Sequence, residues 1–220
     1  MKLTDTDDKT ALDVATILFD IGAIIFRPRQ PFRYDSGILS PVYTDNRLII
    51  SYPKQRQKIV NLLIAKVKKI GPPDVIAGTA TAGIPYAAFI AQKLNLPMVY
   101  VRSAPKDHGK SNQIEGIVKR GQKVLVVEDL ISTAGSSVRV INAIRKLGAQ
   151  ITDELAIFTY NLKEANDNLK AARVRLHTLT DLKHAADVAF KKGYLNKEQI
   201  SMILSWASDP KNWVKKMGYE

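Results

Sequence analysis

A chain of 220 residues, 45% hydrophobic and 25% charged, has an ordinary globular composition and the length for one sizeable core with a small accessory lobe. It contains no cysteine, which excludes disulfides and thiolate metal sites and fits a reducing cytoplasm, and no run of 18 apolar residues offers a membrane span. The formal net charge of +12 suits anionic partners, phosphorylated small molecules and nucleic acid among them, with a merely solubilising surface as the plain alternative.

Residues 1–9 are polar and acidic and lack the apolar region of a secretory signal. Leu12, Ala15, Ile17, Leu18 and Ile21 recur at helical spacing and give way to Ile24, Ile25 and Phe26, so a helix running into an extended piece is expected over 9–26. Residues 31–51 are rich in aromatic and turn residues (Phe32, Tyr34, Ser36, Gly37, Pro41, Tyr43) and read as short strands and a turn. A helix over 54–70 should stop at Gly71-Pro72-Pro73. Then an alternation begins. Strand 74–77 leads through a small-residue loop, 78–83, to a helix over 85–94 with Pro85 in its first turn. Strand 96–102 precedes a polar stretch, 103–116. Strand 123–127 and a loop over 130–137 lead to a helix over 137–147 with Gly148 as its C-cap, followed by strands 153–160 and 174–178. The tail, 181–220, is helical, with Asn196 and Gln199 spaced as a capping box. The alternation predicts an α/β fold with a mostly parallel sheet flanked by helices. Ligands in such sheets gather at the carboxyl ends of strands, here the loops at 78–83, 102–116 and 128–137.

Residues 124–137 read VLVVEDLISTAGSS. Four apolar residues make a strand buried on both faces, and two adjacent carboxylates, Glu128 and Asp129, follow. Such a pair is costly to bury unless sugar hydroxyls, a metal ion or both supply donors and charge. In the loop that follows, small side chains let backbone N–H groups approach an anion, and the next helix N-terminus adds to them. Thr133 and Ser136 offer hydroxyls as well. A strand–turn–helix with an acidic cap explains single residues here, but not the combination.

The segment resembles the phosphoribosyl pyrophosphate (PRPP) signature of type I phosphoribosyltransferases. Three more segments, FRYDSGILSPVYTDNR (32–47), IAGTATAGIP (76–85) and YVRSAPKDHGKSNQIEG (100–116), together with FTYNL (158–162), resemble orotate phosphoribosyltransferases, in particular their Gram-positive bacterial branch. The resemblance spans nearly the whole chain. It implies one phosphoribosyltransferase domain over 1–220, with hood elements mainly within 1–50, a core over about 54–180 and C-terminal helices over 181–220, and with no room for a fused decarboxylase. The implied reaction joins orotate N1 to the ribose of PRPP, giving orotidine 5′-monophosphate and pyrophosphate in UMP biosynthesis. Glu128 and Asp129 would hold the ribose hydroxyls; PRPP would also meet Leu130, Ile131, Ser132, Thr133, Ala134, Gly135 and Ser136, the 5-phosphate lying on 133–136.

Residues 78–83 have a superficial P-loop spacing, but Ile84-Pro85 stands where Lys-Ser/Thr is needed. The resemblance makes Thr79, Ala80, Thr81 and Ala82 the pyrophosphate loop; the plain alternative is a strand-to-helix turn that needs small residues. The polar stretch reads as a mobile cationic flap or a solvated basic loop. The resemblance assigns Arg102, Lys106 and His108 to catalysis and PRPP contact, reaching the neighbouring subunit's site in a homodimer. It places orotate near Ser132, Tyr43 and Thr44, although Phe32 and Tyr34 also suit a small hood core. It implies Mg²⁺ carried by PRPP near Glu128 and Asp129, with no direct protein ligand, and neither a nucleic-acid nor a membrane partner. Ser103, Asp35 and Ala82 stand where another bacterial branch has lysines, and Tyr160 stands near the place of an orotate-holding arginine. Trp206 and Trp213 read as packing anchors, and His177 and His184 as structural or surface residues. Transfer to another base, and a PRPP-sensing nucleic-acid regulator on the same fold, are the competing readings. Ser132 argues against the purine type, and the lack of a helix-turn-helix argues against the regulator.

Overall fold

The computed structural model describes residues 7–33, 39–102 and 113–218. Helix α1 (Asp8–Asp20) starts where the Asp7 side chain accepts from the Thr10 amide at 2.9 Å, and it buries Ala11, Val14, Ala15 and Leu18 on one face. Four short strands follow: β1 (Ile24–Phe26), β2 (Phe32–Arg33), β3 (Leu39–Ser40) and β4 (Val42–Thr44). They form two antiparallel ladders, β1 with β4 and β2 with β3. A 3₁₀ helix (Asn46–Ser51), which the sequence reading did not separate from this region, leads into α2 (Pro53–Ile70).

The alternating part comprises β5 (Val75–Thr79), α3 (Gly83–Leu94), β6 (Met98–Val101), β7 (Ile114–Glu115), β8 (Val124–Ile131), α4 (Gly135–Arg145), β9 (Asp153–Thr159), α5 (Lys163–Ala171) and β10 (Arg175–Asp181). One six-stranded sheet has the order β10-β9-β8-β5-β6-β7, parallel throughout except for the β6–β7 pair. The expected α/β fold with a mostly parallel sheet is what the chain adopts. Leu125 and Val127 pack into a cluster with Leu18, Leu63 and Ile90, while Val124 and Val126 join Val140, Ile141 and Leu169. A strand covered on both faces needs an unbroken apolar run, which is why 124–127 does not alternate. Helices α6 (Leu182–Lys191), α7 (Lys197–Ser208) and α8 (Pro210–Lys216) complete the chain. Both bonds of the expected capping box at Asn196 and Gln199 form, each at 2.9 Å.

Several boundaries, and one helix, differ from expectation. Strand β8 does not stop at 127: Glu128 stays in register with Ala156 and Leu130 with Phe158 of β9, so the acidic pair lies within the ladder. Helix α4 begins at Gly135, which leaves 132–134 as the whole loop, and it ends at Arg145 with Lys146 as the cap; Gly148 (φ +81°) shapes the turn beyond. Helix α5 was not expected, because KEANDNLKA is short and mostly polar and buries only Ala165 and Leu169, one i,i+4 pair.

Candidate active site

Strands β8, β5 and β6 are neighbours and run parallel, so 132–134, 80–82 and Arg102 emerge on one edge of the sheet. The topology thereby brings together three segments that the sequence keeps apart.

At the centre stands the acidic pair. Glu128 is buried and Asp129 half-buried, and the Asp129 amide donates to Glu128 Oε1 at 3.1 Å. Burial pushes the Glu128 carboxyl well above the usual carboxylate range, and the Asp129 charge adds to this. Asp129 is likewise raised, first by burial. The Arg47 guanidinium offsets this only weakly, because it is held by Asp45 at 2.6 and 2.8 Å. Two desolvated carboxyls with no tightly paired cation among the described residues are poised to accept from hydroxyls or to face a bound cation.

The loop after β8 is shaped as an anion cradle. Ala134 sits at the start of α4 with φ +62° and offers no side-chain cap, so the first-turn amides of α4 have no capping acceptor among the described residues. Asn168 of α5 donates to the Thr133 carbonyl at 2.9 Å and fixes the loop from behind. Ser132, Thr133, Gly135 and Ser136 are half-buried. The Ile131 side chain lies in the core, so this residue offers a ligand only its backbone.

The second loop is similar. Helix α3 starts after Ala82 without a side-chain cap, Thr81 is exposed, and the Ala80–Thr81 peptide is cis. Thr79 belongs to β5 rather than to the loop; its buried hydroxyl has no hydrogen-bond partner among the described residues. Gly78 pairs with Val127, which sets Thr79 beside Glu128. Two uncapped helix N-termini therefore flank one acidic pair.

Arg102 closes the base of the third segment. Its amide donates to the Gln113 carbonyl at 2.9 Å, and Gln113 Nε2 donates back to the Arg102 carbonyl at 2.7 Å. Its guanidinium lies 3.8 Å from Glu115. Lys106, His108 and Ser103 lie outside the described residues, as do Tyr34 and Asp35.

On the hood side, Tyr43 is exposed and Thr44 buried, on opposite faces of β4, so their two side chains cannot meet the same face of one ligand. Tyr43 packs against Phe32 at 5.6 Å, and Arg27 lies over the Phe32 ring at 4.8 Å. Tyr160 is buried and packs edge-on to Phe158 and to Trp206, each at 5.4 Å, so its ring belongs to the core at the position where another branch has an arginine. Trp206 also donates to the Leu39 carbonyl at 3.0 Å, which ties the C-terminal helices to the hood. Trp213 is buried as well and donates to the Met202 carbonyl at 3.0 Å. His177 is buried against Asp153 and His184 lies against Asp181, each at 2.7 Å.

A cleft of about 780 Å³ opens beside the 132–134 loop, with Ser132, Thr133, Leu162, Lys163, Trp206 and Lys211 among its lining. Sequence reasoning missed its α5 wall, for which the local signs are Lys163 and Asp167 at helical ion-pair spacing and Ala165 and Leu169 at the same spacing on the buried face. It also passed over Asn46, whose amide donates to the Asp129 carbonyl at 2.8 Å.

Comparison with known proteins agrees with this geometry. Residues 52–188 match the family described as "Phosphoribosyl transferase domain". The chain is 47% identical over 203 residues to an orotate phosphoribosyltransferase of Listeria monocytogenes serotype 4b, covering 92% of this chain and 97% of the relative. It is 46% identical over 208 residues to that of Enterococcus faecalis, covering 94% and 99%. The crystal structure of orotate phosphoribosyltransferase from Aeropyrum pernix superposes with a TM-score of 0.72 at 29% identity, over 83% of this chain and 99% of that one. Sequence, fold and the layout of strand ends agree, and the chain belongs to the orotate phosphoribosyltransferases of the phosphoribosyltransferase family.

Proposed function

We propose that this protein transfers the 5-phosphoribosyl group of PRPP to N1 of orotate, giving orotidine 5′-monophosphate and pyrophosphate, as a step of pyrimidine nucleotide synthesis. The observation that carries the reading is the acidic pair, Glu128 buried and Asp129 half-buried, flanked by the two uncapped helix N-termini at 82–83 and 134–135. A phosphorylated sugar bearing a pyrophosphate needs two anion cradles and hydroxyl acceptors between them. The 5-phosphate would sit on 133–136, the pyrophosphate on 79–82, and the ribose hydroxyls on Glu128 and Asp129.

Bond breaking at the anomeric carbon runs ahead of bond making, so positive charge grows on the ribose ring while the pyrophosphate gains negative charge. The carboxylates sit where the first charge develops and the loop amides where the second does. Orotate N1 is the nucleophile, so no covalent enzyme intermediate is needed. The donor set also fits Mg²⁺ brought in by PRPP. Glu128 and Asp129 are hard oxygen donors, and most of the ion's ligands would be substrate oxygens and water, as is usual for this ion. When bound, Mg²⁺ neutralises charge on the departing pyrophosphate.

Loss of orotate's ultraviolet absorbance on adding PRPP and Mg²⁺, with uracil and hypoxanthine in parallel, tests the reaction. Consumption of orotate alone, abolished by chelation, is the expected result. Consumption of another base instead would overturn the assignment.

The protein acts as a homodimer in this reading, with the segment between Arg102 and Gln113 closing over the partner's pyrophosphate. The described residues at either end of that segment belong to β6 and to β7, the edge strand of the sheet, which puts its two ends at the margin of the sheet. Lys106→Ala should lower kcat by roughly 100–1000-fold, in line with the loss of one preorganised charge, while the melting temperature stays the same. Mixing Lys106→Ala with Asp129→Ala protein should restore up to about a quarter of wild-type activity, because each mixed dimer holds one intact site. Mixtures no better than either parent would show that the segment acts within its own subunit.

A further inference from the structure

Asn46 opens the 3₁₀ helix and is wholly buried. Its side chain donates to the Asp129 carbonyl oxygen at 2.8 Å. A carbonyl can only accept, so the amide orientation is fixed with Nδ2 toward Asp129. The Asn46 carbonyl in turn accepts from the Tyr86 hydroxyl at 2.8 Å. Tyr86 is wholly buried in α3, and its hydroxyl is held in the neutral, donating form by burial and, secondarily, by the nearby Asp129 charge. Asn46 Oδ1 has no hydrogen-bond partner among the described residues. The side chain is therefore placed for its single bond to β8 rather than for its own satisfaction. Its target is the carbonyl of an acid that sits three residues before the phosphate loop.

We infer that Asn46 is the positioning residue of the acidic pair: through the Asp129 carbonyl it sets where the two carboxylates stand relative to the phosphate loop, and Tyr86 holds Asn46 in place. The role rests on the phosphoribosyl-transfer reading of the site. It also gives the hood a physical link to the sugar, because the segment that carries Tyr43 and Thr44 continues directly into the residue that braces Asp129. Displacement of a catalytic group by a fraction of an ångström weakens use of the ligand it aligns and leaves the other ligand's affinity in place.

The test compares Asn46→Leu, Tyr86→Phe and the double variant by PRPP calorimetry and by steady-state kinetics in both substrates. Asn46→Leu should raise the PRPP Kd and KM roughly 10–100-fold and leave the orotate KM within about threefold. Tyr86→Phe should move the same constants in the same direction by a smaller factor. The double variant should be no worse than Asn46→Leu, since Tyr86 acts through Asn46. Should Asn46→Leu fail to fold, Tyr86→Phe carries the comparison, because it removes one oxygen from a ring whose packing is kept. An unchanged PRPP Kd, or an orotate KM that shifts as far as the PRPP KM, overturns the role. Wild-type protein that binds PRPP yet consumes no orotate would sink the transfer reading, while the calorimetric comparison still judges Asn46 by itself.

Discussion

Gly83→Ala should cost both stability and turnover, because the methyl group has nowhere to go. A Cβ at position 83 would strike the Val127 carbonyl oxygen and stand 3.2 Å from the Glu128 Cα. Both are backbone atoms of a central strand, so no side-chain rotation relieves the contact. Gly78 is nearly as tight, with the Ile84 Cα at 2.9 Å from its would-be Cβ. The start of α3 is thus pressed onto β5 and β8 at the level of the acidic pair. Overpacking against immovable backbone costs about 3 kcal/mol, or a fall in melting temperature of roughly 6–12 °C for a chain of this size. The strain falls on Val127 and Glu128, so the surviving folded protein should also lose about 100-fold in kcat/KM for PRPP, as misplaced catalytic groups do. Gly121→Ala is the control: Gly121 has φ +84° but open space around a Cβ, so only the backbone conformation is penalised, by about 1 kcal/mol, with kinetics unchanged. Equal effects at the two positions would show that close packing at Gly83 does not set the site.

Much of this site is legible in the chain before any coordinates. An apolar run, two acids and a hydroxyl-rich loop state a buried strand, a charged end and an anion cradle, and the fold places them so. Boundaries are less legible, because hydrogen bonding rather than composition decides them. Polar residues at 128 and 129 look like a strand's end, yet the β9 ladder carries β8 on to Ile131. Helix α5 is illegible for the opposite reason: its segment is so polar that the single buried i,i+4 pair, Ala165 and Leu169, reads as part of a loop. Asn46 could not have been chosen from its neighbours. Its importance comes from a contact with Asp129 across 83 positions of sequence, and a lone Asn after Asp45 reads locally as a turn. Trp206 was legible as an anchor but not as a wall of the cleft, since that depends on how α7 returns across Tyr160.

Glu154 supplies the second large effect, on stability rather than turnover. It lies in the middle of the sheet, in register with Val126 and Leu176, and is wholly buried. Neither carboxylate oxygen has a hydrogen bond of good geometry among the described residues, and the same holds for the nearby Ser137 hydroxyl. Burial pushes its pKa from 4.5 up to about 7, with Ser137 offsetting only part of the rise. Below about pH 4.5 the carboxyl is neutral in both folded and unfolded chains and contributes no pH dependence. From pH 4.5 to about 7 the unfolded chain releases this proton while the folded chain keeps it, so stability falls as pH rises. Above that the loss is complete and amounts to about 3 kcal/mol. Glu154→Gln removes the titration and keeps the shape. Between pH 4.5 and 8.5 the variant's stability should therefore fall by about 3 kcal/mol less than the wild type's, read from urea unfolding across that range. Any fixed cost of burying the amide moves the variant's whole curve and leaves this difference intact. Parallel stability curves for the two proteins would mean that Glu154 finds a partner in solution that satisfies it at every pH.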